Sequence, residues 1–268
     1  MTMTIALAGK GGTGKTSITA LLIRTLIERG VGSILAIDAD PASNLHLALG
    51  LSLGRTVGDI REESFQNAQA GSLPGGMARQ DWLEHAVRMV LEEGDDVDLL
   101  AMGRPEGPGC YCAVNHMLRQ IIDALGKAYD YVVIDNEAGM EHLSRRTTRD
   151  VDVLMLVSDP TLRGVLAAGQ MARLADDLHI NVGRTYLVLN RVTGELAGPL
   201  RDAIAATGLE LAGVVPFDEL LAEYDGHGRP IFDLPAASAA YQAVNEIAGR
   251  VLGAPVSVAG RSDERRSG

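Results

Sequence analysis

The chain has 268 residues, 46% of them hydrophobic, and a formal net charge of -11. Its length suits one large α/β domain, and no apolar run approaches the roughly 20 residues of a membrane-spanning helix. The acidic balance, relieved only by a small cluster at Arg145, Arg146 and Arg149, argues against a nucleic-acid partner, and two cysteines, Cys110 and Cys112, are too few for a disulfide scaffold.

The opening Met1-Thr2-Met3-Thr4 carries neither a basic region nor a cleavage site, so the expectation is a cytoplasmic protein. Apolar strand-like runs then alternate with helical patterns, the signature of a mostly parallel sheet flanked by helices. The strands expected in chain order span 4–8, 33–37, 97–102, 129–135, 151–157, 185–189 and 211–215, about seven in all. Helices are expected over 15–29, 114–126, 162–178, 198–207 and 236–252, the first closed by Gly30. The stretch 51–94 is less regular and reads as a surface excursion with one or two helices around 82–93. Residues 253–268 include a charged end without apolar residues and read as a disordered tail behind a single domain over 1–252.

Between the first strand and the first helix stands Gly9-Lys10-Gly11-Gly12-Thr13-Gly14-Lys15-Thr16. The pattern G-x-x-x-x-G-K-[ST] in this strand-to-helix setting is a phosphate loop, which makes the fold class a three-layer P-loop NTPase domain. Gly11, Gly12 and Gly14 allow backbone N–H groups to turn toward phosphate oxygens, and the helix N-terminus adds positive potential. Thr13 and Ser17 complete the nucleotide-holding stretch. Lys15 is expected to neutralise the β- and γ-phosphates of ATP or ADP, and the Thr16 hydroxyl to coordinate Mg²⁺.

Acids close to this loop would hold the metal and orient water. Asp38 and Asp40 end the second strand, and Asp135 ends the apolar run Tyr131-Val132-Val133-Ile134. Ligands of parallel sheets bind at the carboxyl ends of strands, where these acids lie. Each acid alone could equally cap a turn.

Composition leaves Lys10 open between a solvated loop lysine and a ligand-binding one. Its place five residues before Lys15 resembles the deviant Walker A motif of the MinD/ParA/nitrogenase-iron-protein class. That resemblance implies an ATP-bound homodimer in which Lys10 reaches the nucleotide of the facing subunit. It also implies that Asp40 positions the attacking water, that Asp38 and Asp135 belong to the Mg²⁺ site, and that 135–139 form a second switch. Asn190 would read adenine, with Pro216, Phe217 and Asp218 near the base.

Two segments narrow the resemblance. Gly103-Arg104-Pro105-Glu106-Gly107-Pro108-Gly109-Cys110-Tyr111-Cys112 and Asp135-Asn136-Glu137-Ala138-Gly139-Met140-Glu141-His142-Leu143-Ser144-Arg145-Arg146 resemble the CooC family of ATPases, which accompany nickel insertion into carbon monoxide dehydrogenase. The resemblance implies a metal site at Cys110 and Cys112, shared across a dimer, and a client that is carbon monoxide dehydrogenase or a related nickel enzyme. The chemistry is compatible: thiolates suit Ni²⁺, with Zn²⁺ possible in its place, and two Cys-x-Cys pairs on a two-fold axis supply four sulfurs. His116 stands four residues beyond Cys112, either a further ligand or a surface histidine. Two other readings remain at this point: a MinD/ParA-like positioning switch whose cysteines are incidental, and an iron-protein-like electron donor.

Overall fold

Parallel strands covered on both faces must be apolar on both, and the first strand obeys this: Ile5, Ala6, Leu7 and Ala8 are all fully buried. A computed structural model describes residues 2–69, 86–104, 112–139, 150–178 and 180–252. Its strands are β1 (Met3–Gly9), β2 (Ile34–Ala39), β3 (Leu91–Glu92), β4 (Asp98–Ala101), β5 (Tyr131–Asn136), β6 (Asp150–Ser158), β7 (Asn181–Val192) and β8 (Glu210–Pro216). They form one sheet in the order β3-β4-β2-β5-β1-β6-β7-β8, parallel throughout except for the β3–β4 pair.

Side chains alternate across this sheet and divide the core in two. Ile5 and Leu7 pack with α1 (Lys15–Glu28), α2 (Leu45–Leu49) and the last described helix, while Ala6 and Ala8 pack on the other side with residues such as Val57, Leu118, Val165 and Leu200. The second side is built by α3 (Val57–Gln69), α4 (Cys112–Leu125), α5 (Leu162–Asp177) and α6 (Gly198–Thr207). Helices α7 (Glu219–Gly226) and α8 (Ala239–Leu252) return the chain to the α1 side. The result is the expected layered α/β fold, with eight strands rather than seven.

The helix expected over 82–93 is present over 86–90, and the extra strand corrects only its end. Leu91 and Glu92 pair antiparallel with Leu100 and Leu99, and the Glu92 carboxylate accepts from Ser52 Oγ (2.7 Å) and the Gly54 N–H (3.3 Å). Those bonds hold the backbone extended where local pattern favoured helix. A second correction is α3, inside the stretch read as irregular. Thr56 N–H donates to Asp59 Oδ2 (2.8 Å) and Asp59 N–H to Thr56 Oγ1 (3.3 Å), a reciprocal cap that starts the helix. Residues 70–85 and the tail 253–268 lie outside the described residues.

Because the strands run parallel, the carboxyl ends of β1, β2, β5, β7 and β8 share one edge of the sheet. In the ladder Asp38 is paired with Asp135, and Asp135 also faces Leu7 of β1, two residues before the glycine-rich loop leaves that strand. Among the described residues, no helix is long and apolar enough to cross a membrane.

Candidate nucleotide site

The loop between β1 and α1 turns its carbonyls toward side chains. Lys10 O accepts from Lys15 Nζ (3.2 Å) and Thr13 Oγ1 (2.9 Å), Gly12 O from Arg191 Nη1 (2.9 Å), and Thr13 O from Asn190 Nδ2 (2.8 Å). With those carbonyls engaged, the loop N–H groups are left for an anion. No side chain caps α1, so its first-turn donors are left for the same purpose.

Gly14 makes this geometry possible. It sits at φ 85° immediately before α1, and a Cβ there would collide with the Asn190 amide nitrogen. Gly14→Ala is therefore expected to strain the backbone by about 1–2 kcal/mol and push Asn190 off Thr13. The check is nucleotide affinity alongside thermal melting: a loss of at least tenfold in affinity is expected, and unchanged affinity would contradict this account.

Lys15, at the head of α1, is buried, and burial pulls its pKa below the ordinary lysine value against the opposing charges of Asp135, Asp40 and Glu137. One turn of the same helix presents two hydroxyls to Asp135: Thr16 Oγ1 donates to Oδ2 (2.6 Å) and Thr19 Oγ1 approaches Oδ1 (3.4 Å). Burial raises the Asp135 carboxyl to about 6 despite the Thr16 bond and Lys15. Asp38 is raised to about 7, again by burial first; the N–H groups of Leu45 (2.8 Å) and Asp40 (3.1 Å) oppose that rise, while Asp135 adds to it. Asp40 is partly exposed, accepts from the Ala42 N–H (2.8 Å), and lines a cavity of about 450 Å³ together with Lys15, Thr16 and Gly11.

A second cavity of about 250 Å³ is lined by Asn190, Pro216, Phe217 and Asp218. Ser17, Arg191 and Asp225 line both cavities, so the two adjoin. The structure thus brings the residues expected at phosphate and base to adjoining spaces. Phe217 is 48% exposed there. The Asn190 amide spends one N–H on Thr13 and one lone pair on the Arg191 N–H (2.9 Å), which leaves one of each for a base. Asp218 is more structural than its expected role: its oxygens take four bonds, from Leu220 N, Leu221 N, Ser238 Oγ and Ala240 N, and these join the starts of α7 and α8.

Lys10 is exposed and, among the described residues, is not part of either cavity lining. Gly139 N–H donates to Gly9 O (3.0 Å), so the segment after β5 is bonded to the root of the loop. Its continuation from Met140 through His142 to Arg149 lies outside the described residues, as does Cys110. Cys112 is described only in its backbone, which opens α4, and His116 is exposed on that helix. The sequence reading missed Arg191 and Asp225; the run Leu189-Asn190-Arg191 and the N-cap pattern Asp218-Glu219-Leu220-Leu221 were the available signals.

The donor set fits Mg²⁺ with a nucleoside triphosphate. Hard oxygens from Thr16 and Asp135 meet at the head of α1, Asp38 is paired beside Asp135 in the sheet, and burial raises both carboxyls above the ordinary value, as a site completed by a cation would leave them without it. No cluster of three or more His, Cys, Asp or Glu side chains placed for a metal occurs among the described residues.

Comparison with known proteins agrees with this geometry. The family model for the CobQ/CobB/MinD/ParA nucleotide binding domain matches residues 4–231. An uncharacterised ATP-binding protein of Methanocaldococcus jannaschii is 46% identical over 250 residues, 93% of this chain and 98% of that one. The carbon monoxide dehydrogenase accessory protein CooC of Rhodospirillum rubrum is 31% identical over 256 residues, 88% of this chain and 91% of its own. Among solved structures, the septum site-determining protein MinD of Pyrococcus horikoshii, in complex with Mg-ADP, superposes with a TM-score of 0.68 at 23% identity, covering 94% of this chain and 96% of that one.

Proposed function

Since the chain belongs to the CobQ/CobB/MinD/ParA nucleotide-binding family and is an ATPase homologous to CooC, we propose that it is a Mg-ATP-dependent, dimerising ATPase that carries nickel for the maturation of carbon monoxide dehydrogenase or a related nickel enzyme. The observation that carries the hydrolytic part is the Thr16–Asp135 hydrogen bond beside desolvated Lys15, on the lip of a cavity that also holds Asp40. Thr16, Asp38 and Asp135 would hold Mg²⁺, which supplies charge neutralisation at the phosphates. Lys15 binds the phosphates, Asp40 orients the attacking water, and Asn190, Pro216 and Phe217 bind the base. Lys10, exposed at the loop's tip side, would complete the site of a facing subunit.

The nickel role is supported by the Cys110-Tyr111-Cys112 sequence and by the 31% identity with the accessory protein. A contact on the nucleotide side supports a coupling between nucleotide and metal. Ser43, three residues after Asp40, accepts from the Gly103 N–H (3.2 Å) and donates to Asp40 O (3.3 Å), and Gly103 begins the segment that leads to the cysteines.

Metal titration with and without ATP, in the native chain and in the double variant Cys110→Ser/Cys112→Ser, tests this. The expected result is about one nickel per dimer, as four thiolates require, with an affinity that depends on the nucleotide and vanishes without the thiols. Nickel binding that survived the double substitution would end the carrier reading. A coloured, anaerobically purified protein with cluster absorbance would favour an electron donor instead.

A further inference from the structure

The pairing of β7 with β8 is irregular at two places, between Leu187 and Val188 and between Leu189 and Val192, and the second lies at the nucleotide site. Leu189 pairs with Val214 and Val192 with Pro216, so β7 carries one residue more than its partner, and the surplus falls at Asn190 and Arg191. Arg191 has φ 58°, a left-handed conformation shared among described non-glycine residues only with Ser43. A β-bulge re-aims side chains, and a non-glycine residue in this region carries strain that the fold must compensate. What the bulge delivers is specific: the Arg191 guanidinium reaches across 179 residues to Gly12 O (2.9 Å), while its N–H is held by Asn190 Oδ1 (2.9 Å).

Gly12 itself has φ 78° and lies in the loop whose N–H groups must face the phosphates. A peptide unit has two sides, and a carbonyl free to rotate into the anion site would oppose binding. Arg191 gives that carbonyl a cationic donor outside the loop backbone, and the neutral Asn190 amide donates to the next carbonyl along. Arg191 also lines both cavities, at the junction between the expected base and phosphate spaces.

We propose that Arg191 is a positioning residue that sets the phosphate loop for polyphosphate binding by holding the Gly12 carbonyl away from the anion, and that the β7 bulge serves to place it. The proposal rests on the nucleotide-site reading above and adds a residue that acts through the loop backbone rather than on the base.

Affinities of the native protein, Arg191→Ala and Arg191→Gly for three probes test it: Mg-ATP, Mg-tripolyphosphate and adenosine. Glycine adopts φ 58° without strain, so Arg191→Gly keeps the fold even where alanine does not, and thermal melting verifies this. Both variants are expected to weaken ATP and tripolyphosphate by the same factor, about tenfold, the worth of one charge-assisted hydrogen bond. Adenosine binding is expected to be unchanged. The factor should persist in 1 M NaCl, since a direct charge on the phosphates would be screened there and a backbone hydrogen bond much less. A loss confined to ATP, an equal loss for adenosine, or a factor that collapses in salt would each overturn the proposal. If the native protein bound neither ATP nor tripolyphosphate, the nucleotide-site reading would fall; native-like affinities in both variants would remove the Arg191 inference alone.

Discussion

Lys15→Ala is expected to lower ATP hydrolysis at least about a hundredfold, some ~2.7 kcal/mol of transition-state stabilisation. The ammonium stands buried at the head of α1, bonded to Lys10 O and surrounded by Asp135, Asp40 and Glu137. A triphosphate in the cradle would present more negative charge to it than these carboxylates do, and the charge on the transferring group is greatest in the transition state. Full hydrolysis in Lys15→Ala would refute the assignment. Lys10→Ala is the informative companion. Its backbone carbonyl, which holds both Thr13 and Lys15, is kept by alanine. The variant is expected to bind ATP within about threefold of the native protein, as an exposed side chain outside the cavity implies, yet to lose turnover. Native turnover per chain should rise with protein concentration and that of Lys10→Ala should not. Concentration-independent turnover in the native protein would count against a lysine supplied by a second copy.

Asp135→Asn is expected to abolish Mg-dependent turnover, again by about a hundredfold or more, while leaving the protein without nucleotide at least as stable at neutral pH. Asp135 and Asp38 keep their protons to about 6 and about 7 in the folded chain, against 3.8 ordinarily. The unfolded chain therefore releases these protons first as pH rises. Their contribution favours folding fully below the ordinary carboxyl value and is lost as pH climbs through about 6 and about 7, on the order of a few kcal/mol in total. Melting temperature should consequently decline over that window without ligand, and Mg-ATP, which needs the ionised acids, should restore it above pH 7. Asparagine cannot ionise, and Thr16 and Thr19 are hydroxyls able to accept as well as donate, so the variant keeps its contacts. A variant with an undiminished pH dependence would place the buried charge elsewhere. Turnover at native rate would remove Asp135 from the metal site.

Much of the architecture was legible because its signals are local. The seven longer strands follow from apolar runs bounded by turn residues. Helix α6 begins and ends where expected, at Gly198 and Thr207, because Pro199 opens it and Gly208 closes it in a left-handed cap. Helix α3 was equally available in the Thr56–Asp59 cap, but polar residues outnumber its apolar Val57, Ile60 and Phe65 and blur the helical period. Strand β3 was not available: two residues become a strand only because Leu99 and Leu100 lie alongside and Glu92 is tied to Ser52 and Gly54.

The sequence by itself determined the phosphate loop, its lysine and hydroxyl, the acids at strand ends, and the pair of cysteines, since each depends on residue type at fixed spacing along a few residues. Tertiary structure alone decided which of them meet. Strand order sets Asp38 beside Asp135 and both beside α1, although they are 97 positions apart in the chain. A bulge in β7 aims Arg191 at Gly12, and the α7 turn brings Asp225 to the junction of two cavities. Such contacts arise from the register of a parallel sheet, where a single residue of shift changes the face and reach of every side chain beyond it.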